Sequence, residues 1–308
     1  MALGVVAVLM APAGAQARQA SCFGQKATIT GTSKSEMIKG TNNKDVIYAG
    51  RGNDKIVAKG AADKVCGGPG KDTISGGTGV DQLGGGLDAD TLLGGSESDY
   101  LQGEDGSDEL HGGGGDDELA GGTGNDEVHG EAANDTVTGS EGNDKLYGEE
   151  GRDSVYDEFG ADRLDGGDDQ DTLSAFSDGD ADVLAGGSGF DLLQFEGYDE
   201  VVASLDNVAN DGANCPQQCE GDNYRSSIEN IDGTNGDDTL LGSALSNVIN
   251  GGYGNDTIGG LAGDDLLDGG FGTDALDGGA DNDECSGGPD GAMVVDSAAN
   301  CETANDVP

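Results

Sequence analysis

Stepping by nine residues from Asp45 meets an aspartate fifteen times in succession: Asp45, Asp54, Asp63, Asp72, Asp81, Asp90, Asp99, Asp108, Asp117, Asp126, Asp135, Asp144, Asp153, Asp162 and Asp171. After a slip of two residues come Asp182 and Asp191, and after a longer gap Asp238, Asn247, Asp256, Asp265, Asp274 and Asp283. General acid–base chemistry needs one carboxyl whose surroundings set it apart from its partner. A long file of identical carboxylates suits another task, the coordination of hard cations. Calcium accepts six to eight oxygens in flexible geometry, whereas magnesium demands a tight octahedron and keeps its water.

The neighbours of each acid must hold it in place. Two positions after every one of the 23 acid or Asn residues stands an apolar residue, from Ile47, Ile56 and Val65 to Leu267, Leu276 and Cys285. Nineteen units carry Gly five positions before the acid and fourteen carry Gly two before it. The second set includes Gly52, Gly70, Gly106, Gly124, Gly142, Gly160, Gly254 and Gly272. The fullest copy is Gly121-Gly122-Thr123-Gly124-Asn125-Asp126-Glu127-Val128-His129. Glycine-rich hexads supply the positive φ and close backbone approach of a tight turn. The x-apolar-x triad that follows reads as a strand of minimal length, its middle side chain inward. No such strand buries its apolar residue alone, so the units must stack. Carboxylates stacked at strand spacing, roughly 4.8 Å, repel strongly unless a cation sits between them.

The nonapeptide Gly-Gly-x-Gly-x-Asp-x-apolar-x resembles that of the repeats-in-toxin, or haemolysin-type, calcium-binding family, over about residues 27–193 and 233–285. The resemblance implies an all-β fold, a right-handed parallel β-roll (β-solenoid) of 18-residue coils, here in two blocks with an insertion. It also implies Ca2+ between turns 18 residues apart, held by turn carbonyls and by the Asp carboxylates of successive same-side turns. The aspartates and glycines named above are then the candidate ligand residues. In the first block they form two ladders, Asp54 to Asp162 and Asp45 to Asp171. Six of seven units in the former keep Gly two before the acid, Asp88 being the exception. The latter keeps it only at Gly79, Gly115 and Gly151, with Asn43, Ala61, Glu97, Ala133 and Asp169 elsewhere. A Cβ there disfavours the turn, so tighter calcium binding is expected along the Asp54–Asp162 side. The gaps between turns set a ceiling of about 17 ions, and Asn247 weakens one of those sites.

Composition sets the conditions under which such a chain folds. Of 308 residues 61 are acidic and 14 basic, a net charge of −47. Leu, Ile, Val and Phe make up about 18%, which is the range of disordered chains. The register makes that disorder conditional on calcium, with folding expected at the millimolar levels typical of extracellular modules. A polyanion of this strength repels phosphates, so nucleic acid is excluded as a partner. Beyond the first residues no apolar run approaches the ~20 that cross a bilayer, so no transmembrane segment is expected. Residues 1–71 carry net +6 and the remainder −53. A basic end could guide end-to-end contact or docking on an anionic polymer, but binding fewer cations there explains it more simply.

The apolar run Leu3 to Met10 leads to Ala15-Gln16-Ala17, which fits a signal peptide over residues 1–17 and places the protein outside the cell or at its surface. Six cysteines allow 15 pairings. Proximity favours Cys215–Cys219 and Cys285–Cys301, leaving Cys22–Cys66; a zinc site is the competing reading of Cys215 and Cys219. Residues 18–36 read as an N-terminal cap, 37–193 as the first roll block, 194–232 as an insertion, 233–288 as the second block and 289–308 as a C-terminal cap. Within the insertion Val201-Val202-Ala203-Ser204-Leu205 reads as a strand that reseats the roll, while Asn210-Asp211-Gly212 and Glu220-Gly221-Asp222-Asn223 read as turns. Another calcium bound by the acids of the insertion is the alternative.

Catalytic motifs are absent from the sequence: no His-Glu-x-x-His, no Gly-x-Ser-x-Gly, no P-loop. His111 and His129, 18 apart, should stack on one outer face; solvated surface residues are preferred to a transition-metal pair. The reading is a secreted, non-catalytic calcium-binding protein. The alternatives are an adhesive or matrix component that binds polysaccharide or itself, and an enzyme with an unrecognised site.

Overall fold

The computed structural model describes residues 21–196, 199–213, 221–288 and 297–305, and among these every regular element is a β-strand. Strands pair in parallel with partners 18 residues on, as in Leu92↔Leu110↔Val128↔Leu146 and Leu101↔Leu119↔Val137↔Val155. Each turn of chain therefore adds one strand to each of two facing sheets, giving a parallel β-solenoid. One sheet has 15 strands and runs without a break from Ile29–Thr30 to Thr303–Asn305. The other side is divided. A 10-stranded sheet extends from Met37–Lys39 to Asn223–Tyr224, and a 6-stranded sheet continues to Ser297–Ala299.

The core is two files of single side chains. Ile47, Val65, Leu83, Leu101, Leu119, Val137, Val155 and Leu173 project from one sheet and are 0% exposed. Ile56, Ile74, Leu92, Leu110, Val128 and Leu146 face them at 0–1% exposure. These are the apolar residues two positions after each acid, so the nine-residue pattern maps directly onto the interior. With one residue from each sheet per coil, nothing else can fill a gap. Leu119→Ala, between Leu101 and Val137, is expected to cost about 2–5 kcal/mol in calcium-saturated protein, measured by denaturant titration.

Two sequence expectations need correction. Strands of the first block are mostly six residues long, as in Lys55–Gly60 and Glu109–Gly114, not three. The first residues of the next turn stay in register with the neighbour coil, whether glycine, as in Gly95↔Gly113, or not, as in Glu131↔Glu149. In the second block strands such as Thr257–Gly259 do keep to three. Within the insertion, Val201–Ser204 is a strand as expected, but Gly212–Ala213 and Asn223–Tyr224 are short strands rather than turns. Their backbones are drawn together by Asp211 and Asp222, which form an antiparallel bridge. The buried Asp211 carboxylate then accepts hydrogen bonds from Ser204 N–H and Oγ–H and from Tyr224 N–H.

The insertion interrupts one side only. Leu192–Glu196 pairs directly with Asn230–Asp232 in the 15-stranded sheet. On the other side the chain order is crossed: Val201–Ser204 pairs forward with Thr239–Leu241, whereas the later Asn223–Tyr224 pairs back onto Val183–Ser188.

At the N-terminal end, Ser21–Cys22 and Gln25–Lys26 form an antiparallel hairpin tied to the first coils by a Cys22–Cys66 disulfide. Phe23 lies edge-on to Tyr100, with Lys64 Nζ over its ring at 5.9 Å. At the other end Cys285 occupies an apolar core position, 0% exposed, and is disulfide-bonded to Cys301. The expected signal peptide and the Cys215 and Cys219 pair lie outside the described residues, as do residues 289–296 and 306–308 of the expected C-terminal segment.

Candidate metal centre

Each repeat aspartate sits at the end of a glycine-rich turn, just before its strand, and is joined to the next coil by one bond. Asp126 is typical. Its Oδ1 accepts the backbone N–H of Asp108 at 2.7 Å, and its own N–H donates to Asp144 Oδ1 at 2.6 Å. The same link repeats at 2.6–2.9 Å from Asp45 to Asp191 on one side and from Asp54 to Asp182 on the other. The carboxylates thus form two columns, each beside one sheet, and the parallel register positions them.

The second oxygen has no such partner. Oδ2 of every repeat aspartate from Asp54 to Asp153 is buried with no hydrogen bond, as are those of Asp171, Asp191, Asp256, Asp265 and Asp283. One orphaned carboxylate oxygen is costly and uncommon in a folded protein; a regular row of them marks a place for cations. The glycine that stands five positions before most of the acids makes the cradle. A methyl group built on Gly130 would stand 2.6 Å from Asp135 Oδ2 and 2.8 Å from the Gly148 carbonyl oxygen of the next coil. Carboxylate and carbonyl oxygens from successive coils therefore converge where a Cβ would lie. All are hard, anionic or dipolar oxygens, the donor set that calcium prefers.

The glycine two before the acid has a different part. Gly124 (φ 136°) and Gly142 (φ 151°) lie on the backbone of the preceding coil, where a Cβ would collide with Gly106 O and Gly124 O. Gly52, Gly70, Gly160, Gly254 and Gly272 share the positive φ; Gly106 does not. On the Asp45 side Ala61, Glu97, Ala133 and Asp169 hold φ of 69–93° despite their side chains. Each stores strain of about 1 kcal/mol or more.

Several column members escaped the aspartate pattern. Glu36 N–H donates to Asp54 Oδ1, and Glu302 Oε2 accepts from Asp283 N–H. Glu229 Oε2 accepts from Asp191 N–H, and its backbone carbonyl accepts from Asn247 Nδ2–H, so the column crosses the insertion to Asn247 through a different bond at that step. Asp222 Oδ1 takes the N–H of Asp182, extending the other column, and the N–H of Val201 serves Asp238, where a new column of Asp238, Asp256 and Asp274 begins. Glu36 and Glu229 stand 18 residues before Asp54 and Asn247, so an allowance for Glu in the register would have found them. Asp222 and Glu302 are out of phase and had no such signal. Asp157 lies outside the aspartate register, at a glycine position.

Burial pushes many of the column carboxyls well above their ordinary value of 3.8, and column neighbours add repulsion. Asp72, Asp81, Asp108, Asp126 and Asp144 rise to about 6, Asp99, Asp135, Asp171 and Asp256 to about 7, and Asp90 and Asp182 to about 8. The column can shed its charge by taking up protons or metal.

On the outer face His111 and His129 stack at 4.9 Å, and Tyr147 continues the stack at 4.8 Å. Their Nδ1 atoms lie 2.9 Å from Glu131 and 2.7 Å from Glu149. Both rings thus have carboxylate neighbours of their own and stand apart from the columns.

Taken together, the roll and its columns define a repeat protein built to hold hard cations between coils. Overlapping matches to the RTX calcium-binding nonapeptide repeat (4 copies) cover residues 30–173, 176–194 and 232–285. The chain belongs to this calcium-binding repeat family. No curated protein matches the chain.

Proposed function

We propose that the protein is a secreted, non-catalytic calcium-binding protein whose repeats take up several Ca2+ ions between successive coils. The observation that carries this reading is the row of buried, unpartnered Oδ2 atoms, many of them beside a carbonyl oxygen of the next coil, as at Asp72, Asp90, Asp135 and Asp153. The ligands would be the repeat aspartates from Asp45 to Asp191 and from Asp238 to Asp283, with turn carbonyls. Bound calcium would neutralise the columns and cross-link neighbouring coils. Secretion is supported by Ala15-Gln16-Ala17 and by two disulfides. A non-catalytic role is supported by the nature of the columns, in which each carboxylate is equivalent to those above and below.

Equilibrium dialysis of the whole protein tests this directly. Several calcium ions per chain are expected, with magnesium a poor substitute; a stoichiometry of one or none would overturn it. Along the columns, Asp126→Ala is expected to lower the average calcium affinity more than Asp135→Ala, because Gly124 gives its turn unstrained geometry whereas Ala133 does not. Equal losses in calorimetric titrations would refute that asymmetry.

A further inference from the structure

Asp157 stands five positions before Asp162, where nineteen of the 23 units have glycine. The backbone yields to it: Ser154–Tyr156 stops after three residues, while its neighbour Thr136–Glu141 runs to six, and pairing resumes only as a single bridge, Glu141↔Phe159. The N–H groups of Ser140 and Glu158 fix Asp157 Oδ1 at 2.7 Å. Its Oδ2 is buried without a hydrogen bond, in a side chain 7% exposed. That atom reaches the point beside Gly139 that Asp144 Oδ2 also faces. In the next cradle on the other side, at Gly130, a backbone carbonyl lies there instead. Among the described residues, Asp144, Asp157 and Asp162 form the one cluster of three metal-ligating side chains whose ligand atoms all lie within 4.8 Å of one another.

We propose that Asp144, Asp157 and Asp162 form a three-carboxylate cation site, a repeat gap to which Asp157 adds a further ligand and the first position in the roll to fill with calcium. The inference rests on the calcium-binding reading above. In a regular column each carboxylate is shared between the gap above it and the gap below, so a gap holds one negative charge against a divalent ion. Asp157 belongs to one gap alone and adds a second charge, which makes that gap neutral when filled. The cradle at Gly139 gains a second carboxylate oxygen, and affinity for calcium rises with the charge of the ligand set. The extra acid is also the least tolerable one to leave uncompensated, being enclosed between two column members.

Titration of the calcium-stripped whole protein against a chromophoric chelator at neutral pH resolves the first binding step. Wild type is expected to show one ion bound about tenfold or more tighter than the rest. Asp157→Gly restores the repeat residue and is expected to keep the fold and the remaining ions while losing that step. Asp157→Asn, nearly identical in volume, should lose it too and guards against a packing effect. First steps that coincide between wild type and both variants would overturn the proposal while leaving the calcium reading intact. A wild type that binds no calcium would overturn both.

Discussion

EDTA at neutral pH is expected to turn the all-β protein into an expanded, disordered chain, and calcium near millimolar levels to refold it. The reason lies in the balance within each coil. Burying one Leu or Val contributes about 1.5–3 kcal/mol, and a coil has only one such residue per sheet. Ionised carboxylates one strand apart repel by about 3–4 kcal/mol at an effective dielectric near 20. That term recurs at every step of two columns, so charge outweighs the core until cations enter. Because many ions bind the folded state and few the open chain, stability should rise steeply with calcium concentration. Far-ultraviolet circular dichroism during a calcium titration, reversed by chelator, measures this. An undiminished β-signal in EDTA would contradict it.

Acid should do part of the work of calcium. In the folded state the carboxyls of Asp126, Asp99 and Asp90 rise to about 6, 7 and 8, above the ordinary value of 3.8 that an open chain shows. Below that ordinary value both states are protonated, and the stability conferred by the raised values is fully present. As pH rises through about 6 to 8, the open chain has already ionised while the folded one gives up its protons at a cost, and stability is lost. The chain in EDTA should therefore gain β-structure on acidification to around pH 5 and lose it again by pH 8. Protons and calcium compete for the same oxygens, so more calcium should be needed for folding at pH 5.5 than at 7.5. A chelated chain that is more folded at pH 8 than at pH 5 would overturn the argument.

Much of this was legible in the sequence because one spacing served three purposes. The nine-residue step that places Asp126 in its column also places Val128 in the core and Gly124 in its turn. What stayed hidden depended on atoms rather than on type and spacing. Glu229 does the work of a column aspartate through a longer side chain, so the longest gap in the pattern conceals a column that reaches Asn247 through a different bond. Asp222 reaches its place through a loop that follows no period. Asp157 reads as a failed glycine until its carboxylate is seen beside Asp144 and Asp162. The six-residue strands carry their pairing on into the turn, through Gly95↔Gly113 and Glu131↔Glu149 alike, which hydrophobic spacing does not encode.

The crossed strands of the insertion bear on how the chain is made. A polypeptide grows from its N-terminus, so Val201–Ser204 is synthesised before Thr239–Leu241, with which it pairs. Asn223–Tyr224, which covers the end of the 10-stranded sheet, appears later than that first strand of the next sheet. A nascent chain ending near residue 200 would thus present Val183–Ser188 as an open strand edge, the kind that recruits other chains. For a polyanion that edge is guarded by charge repulsion for as long as calcium is scarce. Low calcium would then be the safe condition in which to synthesise this chain, and the arrival of calcium the moment at which both sheets can close together.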